Sequence, residues 1–341
     1  MSEGSSTPVV RGCRDEDVPA LMAFLGEHWR SDHVLARSRA LMDWQHQGET
    51  GDYAYRIAVD AEGIAGAIGY ILASRFDPAL AAEDVLWVAL WVVRADLRGT
   101  ALGLRLLDDL RRNVPHRSIG VNGINPDHPV MYRALGFTAV TLVQHVALHP
   151  SMSPHLTSFP AGAHLPCLQP GLTVAREVDS VSIAQASVTP EAGPAKSVTY
   201  FRHRFLDHPF YRYRVHELCR DGAHALMATR VAEHDGHRAL RIVDYAGPAA
   251  VLSEAGTVLE ELLIESQAEY VDLIEHGLPA ETFDAMGMMA VDPDGPIMVP
   301  NFFEPFLART ARPLCVYRTP EEVFRVFRAD GDQDRPNQLP T

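Results

Sequence analysis

The chain has 341 residues, 47% hydrophobic and 22% charged, a balance ordinary for a globular protein and a length that favours two domains over one. A formal net charge of −14 disfavours nucleic-acid backbones and anionic membranes as partners, and no apolar run reaches membrane-spanning length. The four cysteines, Cys13, Cys167, Cys219 and Cys315, form no Cys-x-x-Cys pair, and the polar first six residues lack a basic-then-apolar signal segment, so a cytoplasmic location is expected.

Residues 9–13 read as a first strand. A helix over 15–27 follows, with Asp15 as N-cap and Val18, Leu21, Met22 and Leu25 on one face. A second helical stretch runs from about 34 to 47. Residues 53–59 and 65–74 flank the turn Ala61-Glu62-Gly63 and read as a hairpin. The apolar run Val85 to Val93, rich in β-branched and aromatic side chains, predicts a buried strand that stops at Arg94. From Leu102 onward, Leu102, Leu106, Leu107 and Leu110 recur at helical spacing. The turn between holds Gly99, Thr100, Ala101 and Gly103, small residues that let a ligand approach the backbone. Unpaired amides of a first helical turn, at the positive end of the helix dipole, attract an anion. Strand, turn and helix start therefore form a phosphate cradle, without the Gly-Lys-Ser/Thr of a P-loop. A strand over 118–123, a short helix near 129–134 and a strand over 138–148 complete the first half.

Prolines at 150, 154, 160, 166 and 170 break any regular element, so residues 150–171 read as a surface-crossing linker. The second half then repeats the first. Met131-Tyr132-Arg-Ala-Leu-Gly136-Phe137 aligns with Thr282-Phe283-Asp-Ala-Met-Gly287-Met288, an offset of 283 − 132 = 151. Strands over 214–220, 223–232 and 239–245, a helix over 258–264 and a strand over 270–274 fill the repeat. Its cradle position reads Tyr245-Ala-Gly-Pro-Ala-Ala-Val-Leu-Ser-Glu254, where Pro248 lacks a donor and Glu254 opposes an anion. The run Asp330-Gly-Asp332-Gln-Asp334 lacks the closing Glu of a calcium loop and reads as a turn before a frayed tail. Sixteen histidines include no His-Glu-x-x-His cluster, and no metal is expected.

Two motifs in sequence order resemble the GNAT superfamily of acyl-CoA-dependent acyltransferases. Arg98-Gly-Thr-Ala101-Leu-Gly103 resembles its pyrophosphate signature, with Ala101 in place of the middle glycine. Asn125 stands seven residues before Tyr132, and Gly136-Phe137 follow, as in its second signature. The resemblance implies an α/β fold of two tandem GNAT-like domains, each a central mixed sheet flanked by helices. The first would span 1–149 with the acyl-CoA cradle, and the second 172–330 without the CoA motif, leaving 331–341 as the tail. It also implies acyl-CoA as co-substrate. Val92 and Val93 would bind the pantetheine arm. Arg98, Gly99, Thr100, Ala101, Leu102, Gly103 and Leu104 would hold the pyrophosphate. Asn125 would bond the pantetheine or a water, and Tyr132 would be the general acid. His33 and His128 are the candidate bases, with Asp32, Asn122 and Asp127 nearby; a water relay or an amine already neutral would need none.

The segments 201–211, 300–306 and 329–337 resemble tandem-GNAT N-acyltransferases of bacterial surface-polysaccharide pathways. That narrower resemblance implies a small-molecule amine acceptor, the amino group of a nucleotide-linked dideoxy sugar. Another small amine, such as an aminoglycoside or a mycothiol precursor, and a non-catalytic acyl-CoA sensor are the alternatives. A homo-oligomer is left open.

Overall fold

A computed structural model describes residues 7–48, 50–191 and 193–337. The first half runs β1 (Val9–Arg14), α1 (Val18–His28), α2 (Val34–Arg37), α3 (Arg39–His46), β2 (Asp52–Asp60) and β3 (Gly63–Leu72). It continues with β4 (Val85–Val93), α4 (Leu102–Asn113), β5 (Ser118–Asn122), α5 (Pro129–Ala134), β6 (Thr138–Thr141) and β7 (Val143–Leu148). The second half runs β8 (Val174–Val178), α6 (Val198–Phe201), β9 (Arg214–Arg220), β10 (Ala223–His234), β11 (His237–Ala246), α7 (Ala249–Leu252) and α8 (Gly256–Ser266). It closes with β12 (Tyr270–His276), α9 (Ala280–Met286), β13 (Met289–Val291), the hairpin β14 (Phe302–Phe303) and β15 (Phe306–Leu307), β16 (Leu314–Arg318) and β17 (Val326–Phe327).

Local chemistry moves some boundaries. The first helix starts at Val18 rather than Asp15, because Asp17 reaches back to the Arg14 amide at 2.9 Å and holds Arg11. The stretch 34–47 is broken at Ser38, whose hydroxyl caps α3 by accepting from the Leu41 amide at 3.2 Å.

The halves share one topology. The first sheet has strand order β1-β2-β3-β4-β5-β16-β6, and the second β13-β7-β12-β11-β10-β9-β8. Read from opposite ends the orders match, with one exchange: β7 of the first half and β16 of the second each sit in the other half's sheet. The expected strand over 138–148 is therefore two strands. It breaks at Leu142, whose amide donates to the Pro313 carbonyl at 2.9 Å; β6 stays behind while β7 crosses to pair with β12 and β13. In return β16 inserts between β5 and β6. A cut at residue 149 thus divides neither sheet from the other.

The linker reading also changes. Leu156 and Leu168 are buried, and Ser158 and Cys167 bridge to Met298 and Leu148. The tail reading is overturned for 331–337; residues 338–341 lie outside the described residues. Asp330, Asp332 and Asp334 are each 2% exposed. Lys196 joins Asp244 at 2.6 Å and Asp330 at 2.9 Å, and Arg230 holds Asp334 at 2.9 Å. A run of acids with solvated character in sequence is buried here because each of these carboxylates meets a cation. No helix among the described residues is long and apolar enough to cross a membrane.

Candidate active site

The parallel strands β4 and β5 pair only at Val85–Ser118, Leu86–Ile119 and Trp87–Gly120. Beyond Trp87 they part. A bulge at Ala89 starts the divergence, since Gly69 faces Leu90 while Tyr70 faces Val88. One edge of Val92 and Val93 stays bonded to β3, and the other faces the gap. A cleft of about 540 Å³ opens there, lined by Val92, Val93, Arg98, Gly99, Thr100 and Gly103 from the strand end and cradle, and by Trp29, Trp91, His128 and Met131 around them.

The cradle has the geometry of an anion site. Gly99 takes φ +78°, which an L side chain adopts only with strain. The Leu102 amide leans on the Thr100 hydroxyl at 3.3 Å, whereas the amides of Gly99, Ala101, Gly103 and Leu104 have no hydrogen-bond partner among the described residues. Ala101 is the N-cap of α4 and Gly103 and Leu104 lie in its first turn, so free donors and the helix dipole point the same way. The Trp91 ring lies 3.4 Å from where a Gly103 side chain would begin, so it closes the cradle from the strand side. The Arg98 guanidinium donates to the carbonyls of Val93 and His28, both at 3.3 Å, and stays exposed beside the cradle.

Tyr132 sits behind the cleft. Its ring packs edge-on to Trp91 and Phe137, at 6.4 and 5.5 Å between centroids. Its hydroxyl has no hydrogen-bond partner among the described residues, and burial pushes the phenol up to about 12, so it stays protonated at neutral pH. His128 lines the cleft at the start of α5. Asn125 is exposed, and its side-chain oxygen accepts from the Asp127 amide at 3.0 Å, which shapes the turn ahead of His128.

The structure does not bring His33 to this cleft. It is buried, with Nε2 facing the Arg335 guanidinium at 2.8 Å. Burial and that cation hold it down to about 3, and Arg335 occupies the lone pair a base would use. Asp32 is exposed and paired with Arg30. Asn122 is turned inward and donates to the carbonyls of Phe327 and Asp330, both at 3.1 Å. Among the charged and polar candidates for base, His128 is the one at the cleft. The sequence reading missed Trp29 and Trp91.

In the second half the corresponding gap between the parallel strands is filled. Past Ile242–Leu273, β17 pairs with β12, and the Ala329 amide donates to the Val243 carbonyl at 2.9 Å, filling the gap between β11 and β12. At the start of α8, Gly171 donates to the Thr257 hydroxyl at 3.0 Å and Thr173 to the Glu254 carbonyl at 3.1 Å, so linker backbone covers the position of the first-half cradle.

Neither a protein-family model nor a curated protein matches the sequence. Solved structures match the fold. A GCN5-related N-acetyltransferase from Anabaena variabilis superposes with a TM-score of 0.55 at 9% identity, over 91% of this chain and 72% of that one. A conserved protein of unknown function from Enterococcus faecalis superposes with a TM-score of 0.53 at 8% identity, over 92% and 73%. At such identities the likeness is one of fold: mixed α/β, with two GNAT-like domains spanning nearly the whole chain.

Proposed function

We propose that this protein is an acyl-CoA-dependent N-acyltransferase working by direct attack in a ternary complex. One observation carries the proposal: β4 and β5 part beyond Trp87, and the free amides of the cradle stand at the mouth of the gap. Those amides and Arg98 suit a diphosphate, and the free edge of Val92 and Val93 suits an extended amide-bearing arm. The fold likeness to an N-acetyltransferase agrees with this reading.

The chemistry then assigns roles. A backbone amide near Val92 or Val93 stabilises the developing oxyanion. As the amine nitrogen bonds the acyl carbon, the C–S bond breaks, and Tyr132 gives its proton to the departing thiolate. The proton shed by the new amide leaves to water or to His128.

For the acceptor we infer a nucleotide-linked amino sugar, used in surface-polysaccharide synthesis in the cytoplasm. A specific observation favours an anionic, aromatic acceptor. A second pocket, of about 240 Å³, adjoins the end of β5 and is lined by Asn122, Asn301, Phe302, Arg312, Arg328 and Gln333. Phe302 is 38% exposed, and Arg328 has Nε and Nη2 without hydrogen-bond partners, its nearest carboxylate being Asp272, 4.0 Å from Nη2 and shared with Arg241. An aromatic face beside an under-neutralised guanidinium suits a base and a phosphate.

The test is thiol release from acetyl-CoA over a panel of dTDP-linked amino sugars, aminoglycosides and simple amines, with thermal shifts by CoA in parallel. CoA should stabilise the protein, and one nucleotide sugar should release thiol fastest. No stabilisation by CoA would sink the transferase reading. Stabilisation without turnover on any amine would favour the sensor.

A further inference from the structure

Three side chains that nothing in the transferase chemistry uses converge at the other end of the second sheet. His155 comes from the connection after β7, His237 opens β11, and Glu269 precedes β12. One donor atom from each lies within 4.8 Å of the others. Glu269 Oε1 is 2.5 Å from His237 Nδ1 and 3.3 Å from His155 Nδ1, and the two imidazoles stack at 4.5 Å between centroids.

The carboxylate is held for this purpose by its surroundings. Its side chain is fully buried, and its other oxygen, Oε2, accepts from the amides of His155 at 2.6 Å and Leu156 at 2.8 Å. Its backbone is fixed on both sides: the Glu269 amide donates to the Arg238 carbonyl and its carbonyl accepts from His149, each at 2.8 Å. Such outer contacts are what orient a metal-ligating carboxylate. Both histidines keep a solvent face, so incoming ions have a path and water can complete the coordination.

We propose that His155 Nδ1, His237 Nδ1 and Glu269 Oε1 form a binding site for a divalent transition-metal ion of the zinc type. Two imidazoles and one carboxylate suit zinc and its neighbours rather than calcium or magnesium, which prefer all-oxygen shells. Ligands about 2.0 Å from a tetrahedral ion stand about 3.3 Å apart. The His155–Glu269 separation of 3.3 Å already meets that spacing, and the His237 contact of 2.5 Å has to open. Binding moves each imidazole proton from Nδ1 to Nε2 through water, so neutral histidines load the ion without net proton release. The bound ion ties the crossing connection to β11 and β12, far along the chain from the acyl cleft, and its role is structural.

The experiment titrates metal-free full-length protein with Zn²⁺ by calorimetry in a non-chelating buffer, with thermal unfolding alongside. One equivalent should bind and raise the thermal midpoint. His155→Ala and His237→Ala should each weaken that binding at least about tenfold, while His116→Ala, remote from the site, should not. Absence of a one-to-one event, or equal binding by His155→Ala and His237→Ala, overturns the assignment. Circular dichroism of the two exposed-histidine variants separates lost ligation from lost fold.

Discussion

At the scale of single residues, the proposed roles set the groups that would hold the ligand apart from Tyr132, which would donate a proton. Tyr132 has a buried ring and an unpartnered hydroxyl. Removing that hydroxyl therefore breaks no hydrogen bond to any described residue. Tyr132→Phe is expected to lower kcat by about a hundredfold or more while leaving the acyl-CoA KM and the thermal midpoint near wild type. Steady-state kinetics with unfolding curves check it, and unchanged turnover removes the role. Because burial raises the phenol to about 12, any alkaline fall in rate caused by its ionisation lies well above the usual tyrosine range. The sequence made Tyr132 legible through its fixed distance from Asn125, yet hid Trp91. Trp87 and Trp91 are four residues apart, and a regular strand would point both to one face. The bulge at Ala89 shifts that alternation. Trp87 packs toward Phe324 between the halves, and Trp91 turns to the cleft beside Tyr132. No composition rule reports a bulge, so the second tryptophan read as core.

At the scale of elements, the same glycine can be tested for stability and for binding with opposite signs. Gly103 is in the first turn of α4, where a carboxylate meets the positive end of the helix dipole and a diphosphate would sit. Gly103→Asp replaces a poor helix former, and its Cβ would lie 3.4 Å from Trp91, within tolerable contact. The variant should gain about 0.5–1.5 kcal/mol of stability from propensity and dipole together. It should also lose at least about tenfold in CoA affinity, since two like charges would share the cradle. Denaturant unfolding and calorimetry with CoA read the two effects; affinity unchanged would place the diphosphate elsewhere. The cradle was readable because its signal is local: an apolar run, small residues, then helical periodicity. The metal-ligand trio was not. Its members lie 237 − 155 = 82 and 269 − 237 = 32 residues apart, and only the sheet brings them together.

At the scale of the molecule, duplication was legible but exchange was not. The offset of 151 places α9 on α5, because each repeat keeps its short helix before a glycine turn. Nothing in β7 or β16 says which sheet it joins, since both runs suit either site. Acid sensitivity is a property of the whole. His33, His46 and His208 are each held down to about 3 by burial, and His216 to about 4. In the unfolded chain these groups take protons near pH 6.5. Stability is therefore complete above that pH and falls below it, by up to about 1.4 kcal/mol per pH unit for each histidine. Asp244 and Asp332, raised by burial, take protons in the folded state and offset part of the loss. Thermal midpoints between pH 8 and pH 5 should fall on the acid side; a flat profile contradicts the buried neutral state. The exchanged strands lead to a sharper expectation. Val316 of β16 is fully buried with Leu86, Val88 and Ile119 of the first half, and Val146 of β7 is fully buried in the second. A fragment of residues 7–149 lacks β16, leaving β5 and β6 with bare edges and β7 without a sheet. It should show no cooperative unfolding alone. Coexpressed with residues 150–341, it should regain a single transition, because each fragment supplies the strand that the other lacks. Independent cooperative folding of either fragment would show that the exchange is dispensable.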